Sequence, residues 1–229
     1  MDIGLIVIGL IGSYLLGSLP FGLLIVKLST GKDLRDVESG RTGGTNAMRA
    51  AGFLVGLLTA TLDMLKGAAA VLLVRNLLPG LVWVEVAAPL AAIMGHNYSI
   101  FLIEKLSGGK LHLGGGAGGA PCVGGAFGLW PPSLFITLPL LGAVWYGVGY
   151  ASVATMSAAL AAIVIFAIRA SLGLSPWVYI LYGVFAELIL LWALRPNLRR
   201  LAAGNERLVG WRARRRDKKN KLSDNPGKI

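Results

Sequence analysis

The segment from residue 39 to residue 49 concentrates groups that bind anions. Its three glycines leave backbone N–H groups accessible, its hydroxyl and amide side chains add short hydrogen-bond donors, and its two arginines add permanent positive charge. The apolar residues that follow predict a helix, whose first N–H groups would face the same ligand. The Gly and Lys spacing is not that of a Walker loop, and an ordinary glycine-rich turn is the alternative. The predicted phosphate ligands are Ser39, Gly40, Arg41, Gly43, Thr45, Asn46 and Arg49.

A second cluster combines His96 with a Gly-Gly-Lys run further along the chain. Gly108 and Gly109 would let the backbone approach a phosphate, and Lys110 would supply a point charge. For His96, the alternative is a helix-end histidine that is bonded within the fold. The two histidines and the single Cys122 are too far apart in sequence to suggest a metal site, so we predict neither a metal nor another cofactor.

A third cluster lies in the basic segment after the last apolar stretch, where Asn197 and Arg200 could reach the same anion. The alternative is that this segment only flanks a membrane span with positive charge. Within the second apolar stretch, Asp63 and Lys66 are spaced i, i+3 and would pair on one face of a helix. Because ionisable groups at membrane depth are costly, we predict a structural ion pair close to the site.

The composition places these clusters in a membrane protein. Of the 229 residues, 55% are apolar and 14% are charged, and the mean hydropathy is +0.69. A typical globular domain is about 45–50% apolar and about 25% charged. The high apolar content excludes a disordered chain, and the single cysteine excludes a disulfide-rich secreted scaffold. We therefore predict an all-α polytopic membrane protein.

The net charge of +11 is concentrated at the C-terminal end. Twelve of the 22 Lys and Arg residues lie between Arg195 and Lys228, where three acidic residues leave a net charge of +9. This pattern predicts a cytoplasmic tail that follows the positive-inside rule and is attracted to anionic lipid. Nucleic-acid binding is not predicted, because only Trp211 interleaves the basic residues. We predict a single transmembrane domain over residues 1–198 and a partly disordered basic tail over residues 199–229.

Seven apolar stretches approach the length of about 20 residues that a membrane-spanning helix needs. They comprise residues 3–28, 52–77, 81–103, 113–130, 133–149, 151–168 and 176–194. Residues 113–130 are rich in glycine, but parity favours counting them as a span. The basic segment 31–50 and the basic tail both belong in the cytoplasm, so a chain with its N-terminus outside crosses seven times. Pro20 predicts a kink in the first span, and no removable signal peptide is predicted.

This topology brings every dense polar cluster to the cytoplasmic face of the membrane. A structural scaffold has no need of such clustering, whereas an enzyme that acts on a polar cytosolic substrate does. A transporter of small anions is the alternative, but it would place its site near the midplane and often contains internal repeats. The sequence shows no repeat, so these observations favour an enzyme.

The order of the clusters resembles that of the bacterial acyl-phosphate-dependent glycerol-3-phosphate acyltransferases, over nearly the whole chain. The matching positions are Ser18, Pro20 and Gly22; Asp33, Leu34 and Arg35; residues 38–49; Asp63, Lys66 and Gly67; Gly95 and His96; Gly108, Gly109 and Lys110; Tyr150 and Ser152; and Arg195, Asn197, Leu198, Arg200, Leu201, Gly204 and Glu206. The family's seven spans and external N-terminus agree with the parity argument. The sequence departs from the family pattern at Glu38, Arg41, Leu194 and the residues that follow Lys110.

The resemblance implies transfer of a fatty acyl group from acyl phosphate to the 1-hydroxyl of glycerol 3-phosphate, which gives lysophosphatidic acid and phosphate. It implies that Lys110 neutralises charge, that Asn197 and Arg200 position the substrates with help from His96, and that Ser152 joins the phosphate ligands. The two substrates and membrane lipids are the implied partners, without an obligate protein partner. The departures favour one alternative, a divergent paralogue that binds a phospholipid or a phosphate metabolite without this reaction.

Overall fold

The computed structural model describes residues 2–105 and 108–223 and is predominantly helical. Its helices are α1 (Ile3–Ser18), α2 (Phe21–Thr30), α3 (Gly44–Ala51), α4 (Phe53–Leu77), α5 (Val82–Asn97), α6 (Gly119–Leu129), α7 (Leu134–Ala143), α8 (Ala151–Ser171), α9 (Tyr179–Ala193), α10 (Arg195–Ala202) and α11 (Gly210–Ser223). Part of the predicted basic tail is therefore helical, and its residues 224–229 lie outside the described residues.

A short hairpin corrects the strictly all-α prediction. Strands β1 (Ile103–Lys105) and β2 (Leu111–Leu113) pair antiparallel. The turn between them contains Gly108 and Gly109, whose φ angles are +89° and +79°. Glycine adopts such angles without steric cost, so the Gly-Gly pair that was predicted to approach a phosphate serves here as a turn.

Among the residues that the structure describes, four helical stretches are long and apolar enough to cross a membrane. They are Ile3–Thr30, Phe53–Leu77, Pro131–Val148 and Ala151–Ser171. A fifth is added if α9 and α10, which are bent by 69° with respect to each other, count as one broken span. The chain is thus a multi-pass helical membrane protein.

The first of these stretches is broken where Pro20 predicts a kink. Helix α1 ends at Ser18 and α2 begins at Phe21, so backbone groups at the break lose their helical partners. The carbonyl of Leu19 accepts a hydrogen bond of 2.9 Å from the Nζ of Lys66. The same carbonyl also accepts a hydrogen bond of 3.1 Å from the N–H of Phe21. Lys66 adds a charged donor there, so it stabilises the break as well as pairing with Asp63.

Two predicted spans are shorter as helices than their apolar stretches. Helix α5 ends at Asn97, where Ser99 caps a short turn that leads into β1, so the predicted span 81–103 is helical only in part. Within residues 113–130, only α6 is helical, and its 11 residues span about 16 Å. The glycines at 114–116 instead hydrogen-bond in extended form to the segment around residues 96–102 and to Thr42. Glycine is a poor helix former, and its extended backbone is tolerated because protein groups satisfy it.

Small residues hold the helices close together. An added Cβ at Gly17 would overlap the backbone of Ala92 in α5, and one at Gly124 would overlap the backbone of Met64 in α4. Without a hydrophobic driving force between helices in lipid, such close backbone approach supplies the packing energy. The largest buried side chains, including Phe166 and Tyr182, fill a core between α8, α9 and α6.

Gly124→Ala is expected to lower the free energy of unfolding by about 1–3 kcal/mol, because the added methyl group meets backbone that cannot move aside. Gly142→Ala is the matched control, since nothing lies within 4 Å of its added Cβ. Thermal unfolding of both variants in detergent micelles measures the difference. Equal stability of the two variants would contradict this packing.

Candidate active site

A cavity of about 310 Å³ lies at one end of the bundle, where the chain leaves α5 and α9 and enters α3, α6 and α8. Residues from all three predicted polar clusters line it, although they are far apart in sequence. The predicted site residues in its wall are Ser39, Arg41, Gly43, Thr45, Asn46, Arg49, His96, Ser152, Asn197 and Arg200. Members of the three clusters therefore meet in one cavity.

Three helices point their N-termini into this cavity. Its wall includes Gly43–Thr45 at the start of α3, Gly118–Ala120 at the start of α6, and Ala151–Ser152 at the start of α8. The first N–H groups of a helix have no intrahelical acceptor, and the helix dipole adds partial positive charge there. An anion is therefore favoured in this cavity before any side chain is considered. The N-terminus of α6 was not predicted as part of the site, because the glycine-rich stretch was interpreted as a continuous span.

The charged side chains of the cavity are mainly cationic. Arg41, Arg49, Arg200 and Arg207 line it, against the carboxylates of Asp63 and Glu206. Burial, and next the neighbouring Arg200, lower the pKa of Arg41. Burial, and next Arg207, lower the pKa of Arg49. Desolvation and repulsion between like charges thus both disfavour the charged forms of these arginines. A bound anion would compensate both effects, because its negative charge stabilises the charged guanidinium groups.

Arg41 connects the predicted phosphate-binding segment, residues 39–49, to the corner between α9 and α10. Its Nη2 donates a hydrogen bond of 2.6 Å to the carbonyl of Ala193, which is a terminal carbonyl of α9. Its Nη1 is buried and has no hydrogen-bond partner among the described residues. Arg41 and Ser39 also line a second, more polar cavity of about 470 Å³, and the predicted ligand Gly40 lies there. Arg41 therefore separates the two cavities and presents a free donor to a ligand.

Glu206 positions the two predicted residues of α10. Its Oε1 accepts a hydrogen bond of 2.7 Å from Asn197, and its Oε2 accepts one of 3.1 Å from Arg200. The Glu206 side chain is only 3% exposed, and the Oδ1 of Asn197 is buried without a partner among the described residues. Sequence reasoning noted Glu206 as part of a motif but gave it no role. An acid within an otherwise basic segment was the available signal.

Asp63 forms the centre of a buried network on the deep side of the cavity. Its Oδ1 lies 2.9 Å from the Nζ of Lys66 and 3.5 Å from the Nδ1 of His96, which confirms the predicted i, i+3 pair. In the part of the chain that the structure describes, the Oδ2 of Asp63 is buried without a hydrogen-bond partner. The backbone carbonyl of His96 accepts a hydrogen bond from the N–H of Gly116. The described residues contain no group of three or more His, Cys, Asp or Glu side chains that could hold a metal ion.

Asn46 holds the loop together instead of offering its amide nitrogen to a ligand. Its Nδ2 lies within hydrogen-bond distance of the carbonyls of Leu34, Val37 and Arg41, at 3.2, 2.9 and 2.8 Å. The amide carries only two hydrogens, so these carbonyls saturate it. Within residues 2–105 and 108–223, its Oδ1 is buried without a partner. Asn46 therefore stabilises the backbone conformation of the predicted phosphate-binding segment.

The structure does not bring Gly108, Gly109 and Lys110 to either cavity. All three are exposed in the turn between β1 and β2. The glycines that contact His96 are Gly115 and Gly116, which come after the hairpin. The charge of Lys110 and its place in the motif predicted it in the site, whereas the hairpin places it outside both cavities.

Lys110→Ala is expected to bind inorganic phosphate within about twofold of the unaltered chain, because the side chain is exposed and outside both cavities. Arg49→Ala is expected to bind it at least about tenfold more weakly, because a hydrogen bond to a charged group is worth about 1.5–3 kcal/mol. Isothermal titration of both purified variants with phosphate gives the comparison. A large loss of phosphate affinity in Lys110→Ala would contradict this placement. It would indicate that the hairpin moves and brings Lys110 to the site.

One wall of the first cavity is apolar. It is formed by Leu57, Met64, Val123, Leu138 and Leu141. Leu57 and Leu138 are 51% and 44% exposed on the outer surface of the bundle, where lipid would surround them. The cavity can therefore accept a ligand with a charged head and an aliphatic chain that continues towards the bilayer.

Comparisons with known proteins give a consistent result. A family model described as glycerol-3-phosphate acyltransferase matches residues 7–204. A glycerol-3-phosphate acyltransferase from Rubrobacter xylanophilus is 40% identical over 200 residues, which cover 87% of this chain and 93% of the relative. One from Thermus thermophilus is 37% identical over 205 residues, covering 89% and 95%. A crystal structure of PlsY, an integral membrane glycerol 3-phosphate acyltransferase in its glycerol 3-phosphate form, superposes with a TM-score of 0.73 at 30% identity, covering 90% of this chain and 96% of that one.

Proposed function

This chain belongs to the glycerol-3-phosphate acyltransferase family, and we propose that it transfers a fatty acyl group from acyl phosphate to the 1-hydroxyl of glycerol 3-phosphate. The observation that carries this proposal is one cavity with three helix N-termini, four arginines and an apolar wall. Both substrates bear a phosphate, and one also carries an aliphatic chain. The charged wall and the apolar wall fit these two parts.

The chemistry requires little covalent help from the protein. The hydroxyl oxygen of glycerol 3-phosphate attacks the acyl carbon, the bond from that carbon to the phosphate oxygen breaks, and phosphate leaves. The hydroxyl proton passes to a substrate phosphate oxygen, so no protein nucleophile is needed. Acyl phosphate is a mixed anhydride and already activated, which leaves positioning and charge stabilisation as the work of the site.

We assign roles by position in the cavity wall. Thr45 and Arg49, together with the first N–H groups of α3, bind one phosphate. Asn197 and Arg200, oriented by Glu206, bind on the α10 side, and Ser152 contributes its hydroxyl, which is buried without a partner among the described residues. Arg41 contributes its free Nη1 in addition. His96 and Asp63 support the deep wall.

We also propose the topology and orientation inferred above. Among the described residues, four helical stretches are long and apolar enough to cross a membrane, and the bent pair of α9 and α10 adds a fifth. We assign the remaining two crossings to the shorter helices α5 and α6. Every loop that contributes to the cavity lies at the same end of the bundle as the basic tail, which favours a cytoplasmic cavity and an external N-terminus. A reporter that is active only in the cytoplasm, fused after Ile229, tests this topology. An inactive reporter, in a fusion that is expressed and inserted normally, would overturn it.

Turnover of the purified protein tests the function directly. With acyl phosphate and glycerol 3-phosphate, we expect equal amounts of phosphate and lysophosphatidic acid to form. A reaction without glycerol 3-phosphate controls for hydrolysis of the donor. Binding of both ligands without turnover would overturn the proposed activity and favour a non-catalytic paralogue.

A further inference from the structure

The segment between α10 and α11 contributes to the wall of the cavity. We call residues 203–209 the strap. Two of its side chains, Glu206 and Arg207, line the cavity. Arg207 lies 2.7 Å from the carboxylate of Glu38 through its Nη1 and also contacts the Glu38 carbonyl at 3.3 Å. The strap therefore connects α10 to Glu38, which directly precedes the predicted phosphate-binding segment 39–49.

The far end of the strap is fixed to the turn that precedes α8. Leu208 pairs with Tyr150 as an isolated β-bridge, and the N–H of Val209 donates a hydrogen bond of 2.9 Å to the carbonyl of Gly149. Val209 is only 5% exposed. Because α8 begins right after this turn, the strap also contacts one of the three helix N-termini in the cavity.

Helix α11 continues from the strap at the end of a membrane-crossing stretch. An added Cβ at Gly210 would overlap the backbone of Trp145 and Tyr146, and Arg212 donates a hydrogen bond of 3.0 Å to the carbonyl of Val148. The stretch Pro131–Val148 is apolar enough to cross a membrane, so α11 leaves the bundle at the membrane surface. The half-exposed rings of Tyr146 and Trp211 fit that level, where amphipathic aromatic rings are enriched.

The exposed side chains of α11 are strongly basic. Arg214, Arg215, Arg216 and Lys218 are all exposed. Among the side chains that the structure describes, none forms an ion pair with these four residues, although Arg215 lies over the ring of Trp211. A cluster of exposed basic residues next to a membrane surface is attracted by the headgroups of anionic lipids.

We propose that anionic phospholipid headgroups bind the exposed basic residues of α11, and that this contact holds the strap, with Glu206 and Arg207, in the cavity. The binding partner of this surface is the anionic leaflet of the membrane in which the chain lies. The first part stands on the charge and position of α11 alone. The second part rests on the proposed function, since its readout is acyl transfer.

Proteolysis tests the docking without reference to activity. The full chain is reconstituted in nanodiscs of phosphatidylcholine, with or without a fraction of phosphatidylglycerol, and treated with trypsin. We expect cleavage within residues 210–221 to be at least about tenfold slower in the anionic discs, and added salt to remove that protection. Equal cleavage rates in both lipids would overturn the proposal.

Two matched variants distinguish a specific effect of α11 from a general effect of positive charge on the protein. The first changes Arg214, Arg215, Arg216 and Lys218 to Gln. The control changes four exposed basic residues elsewhere, Lys27, Lys32, Lys105 and Arg199, to Gln. The first variant should lose the lipid-dependent protection at its remaining tail sites, and the control should keep it. Loss of protection in both variants would overturn a specific role for α11.

Acyl transfer in the same nanodiscs tests the link to the cavity. Turnover of the unaltered chain should rise severalfold with phosphatidylglycerol, and the α11 variant should lose this dependence while the control variant keeps it. Lipid-dependent protection without lipid-dependent turnover would overturn the link but not the docking. Absence of turnover in every lipid, with protection intact, would count against the proposed function instead.

Discussion

Glu206→Gln is expected to lower kcat/KM for acyl transfer about tenfold, and Glu206→Ala about 100-fold or more. Glutamine can still accept the hydrogen bond of Asn197 through its amide oxygen, but it loses the charge that faces Arg200. Alanine loses both interactions and leaves two polar side chains in a cationic cavity without their orienting partner. The graded loss follows from the number of interactions that each variant keeps.

Glu85→Gln provides a matched control for this prediction. Counted as whole residues, Glu85 and Glu206 are both 7% exposed. The carboxylate of Glu85 also pairs with an arginine, Arg75, at 2.8 Å. It lies outside both cavities, so its loss should lower stability without a selective loss of turnover. Kinetics and thermal unfolding of both variants in the same detergent give the comparison. For each variant, the loss of kcat/KM is compared with the loss of thermal stability. If this ratio is the same for Glu85→Gln and Glu206→Gln, Glu206 has no positioning role.

The sequence predicted the features that depend on residue type and regular spacing. Apolar stretches of sufficient length predicted the long helices, because burial of a backbone in lipid leaves few other solutions. The i, i+3 spacing predicted the pair of Asp63 and Lys66, since a helix places such residues on one face. Accumulation of polar clusters at one end predicted the shared cavity, because alternating spans return loops to the same side.

The features that the sequence did not predict depend on backbone conformation and on tertiary competition for hydrogen bonds. Hydropathy cannot distinguish a continuous helix over residues 113–130 from an extended glycine segment followed by the short α6. Motif order could not show that the hairpin places Lys110 outside both cavities. The side chain of Asn46 could equally bind a ligand or backbone carbonyls, and only the folded loop brings three carbonyls to it.

Asp63→Asn is expected to lower the free energy of unfolding by about 3–5 kcal/mol, the usual cost of removing one partner from a buried ion pair. Both side chains of the pair are at most 3% exposed, so water cannot compensate the ammonium of Lys66 that remains. The carbonyl of Leu19 is the other group within hydrogen-bond distance of that ammonium among the described residues. Thermal unfolding in detergent micelles measures the loss.

The double variant Asp63→Asn/Lys66→Met decides whether the loss comes from an unpaired charge or from packing. Removing both charges leaves no buried ion without a partner, so the double variant should be more stable than either single variant, with a coupling energy of about 0.5–3 kcal/mol. Strictly additive losses would contradict a direct pair. Because Lys66 also stabilises the break at Pro20, the double variant should remain somewhat less stable than the unaltered chain. If it folds and still transfers acyl groups, the buried pair stabilises the wall of the cavity, and the arginines and helix N-termini supply the catalytic charge.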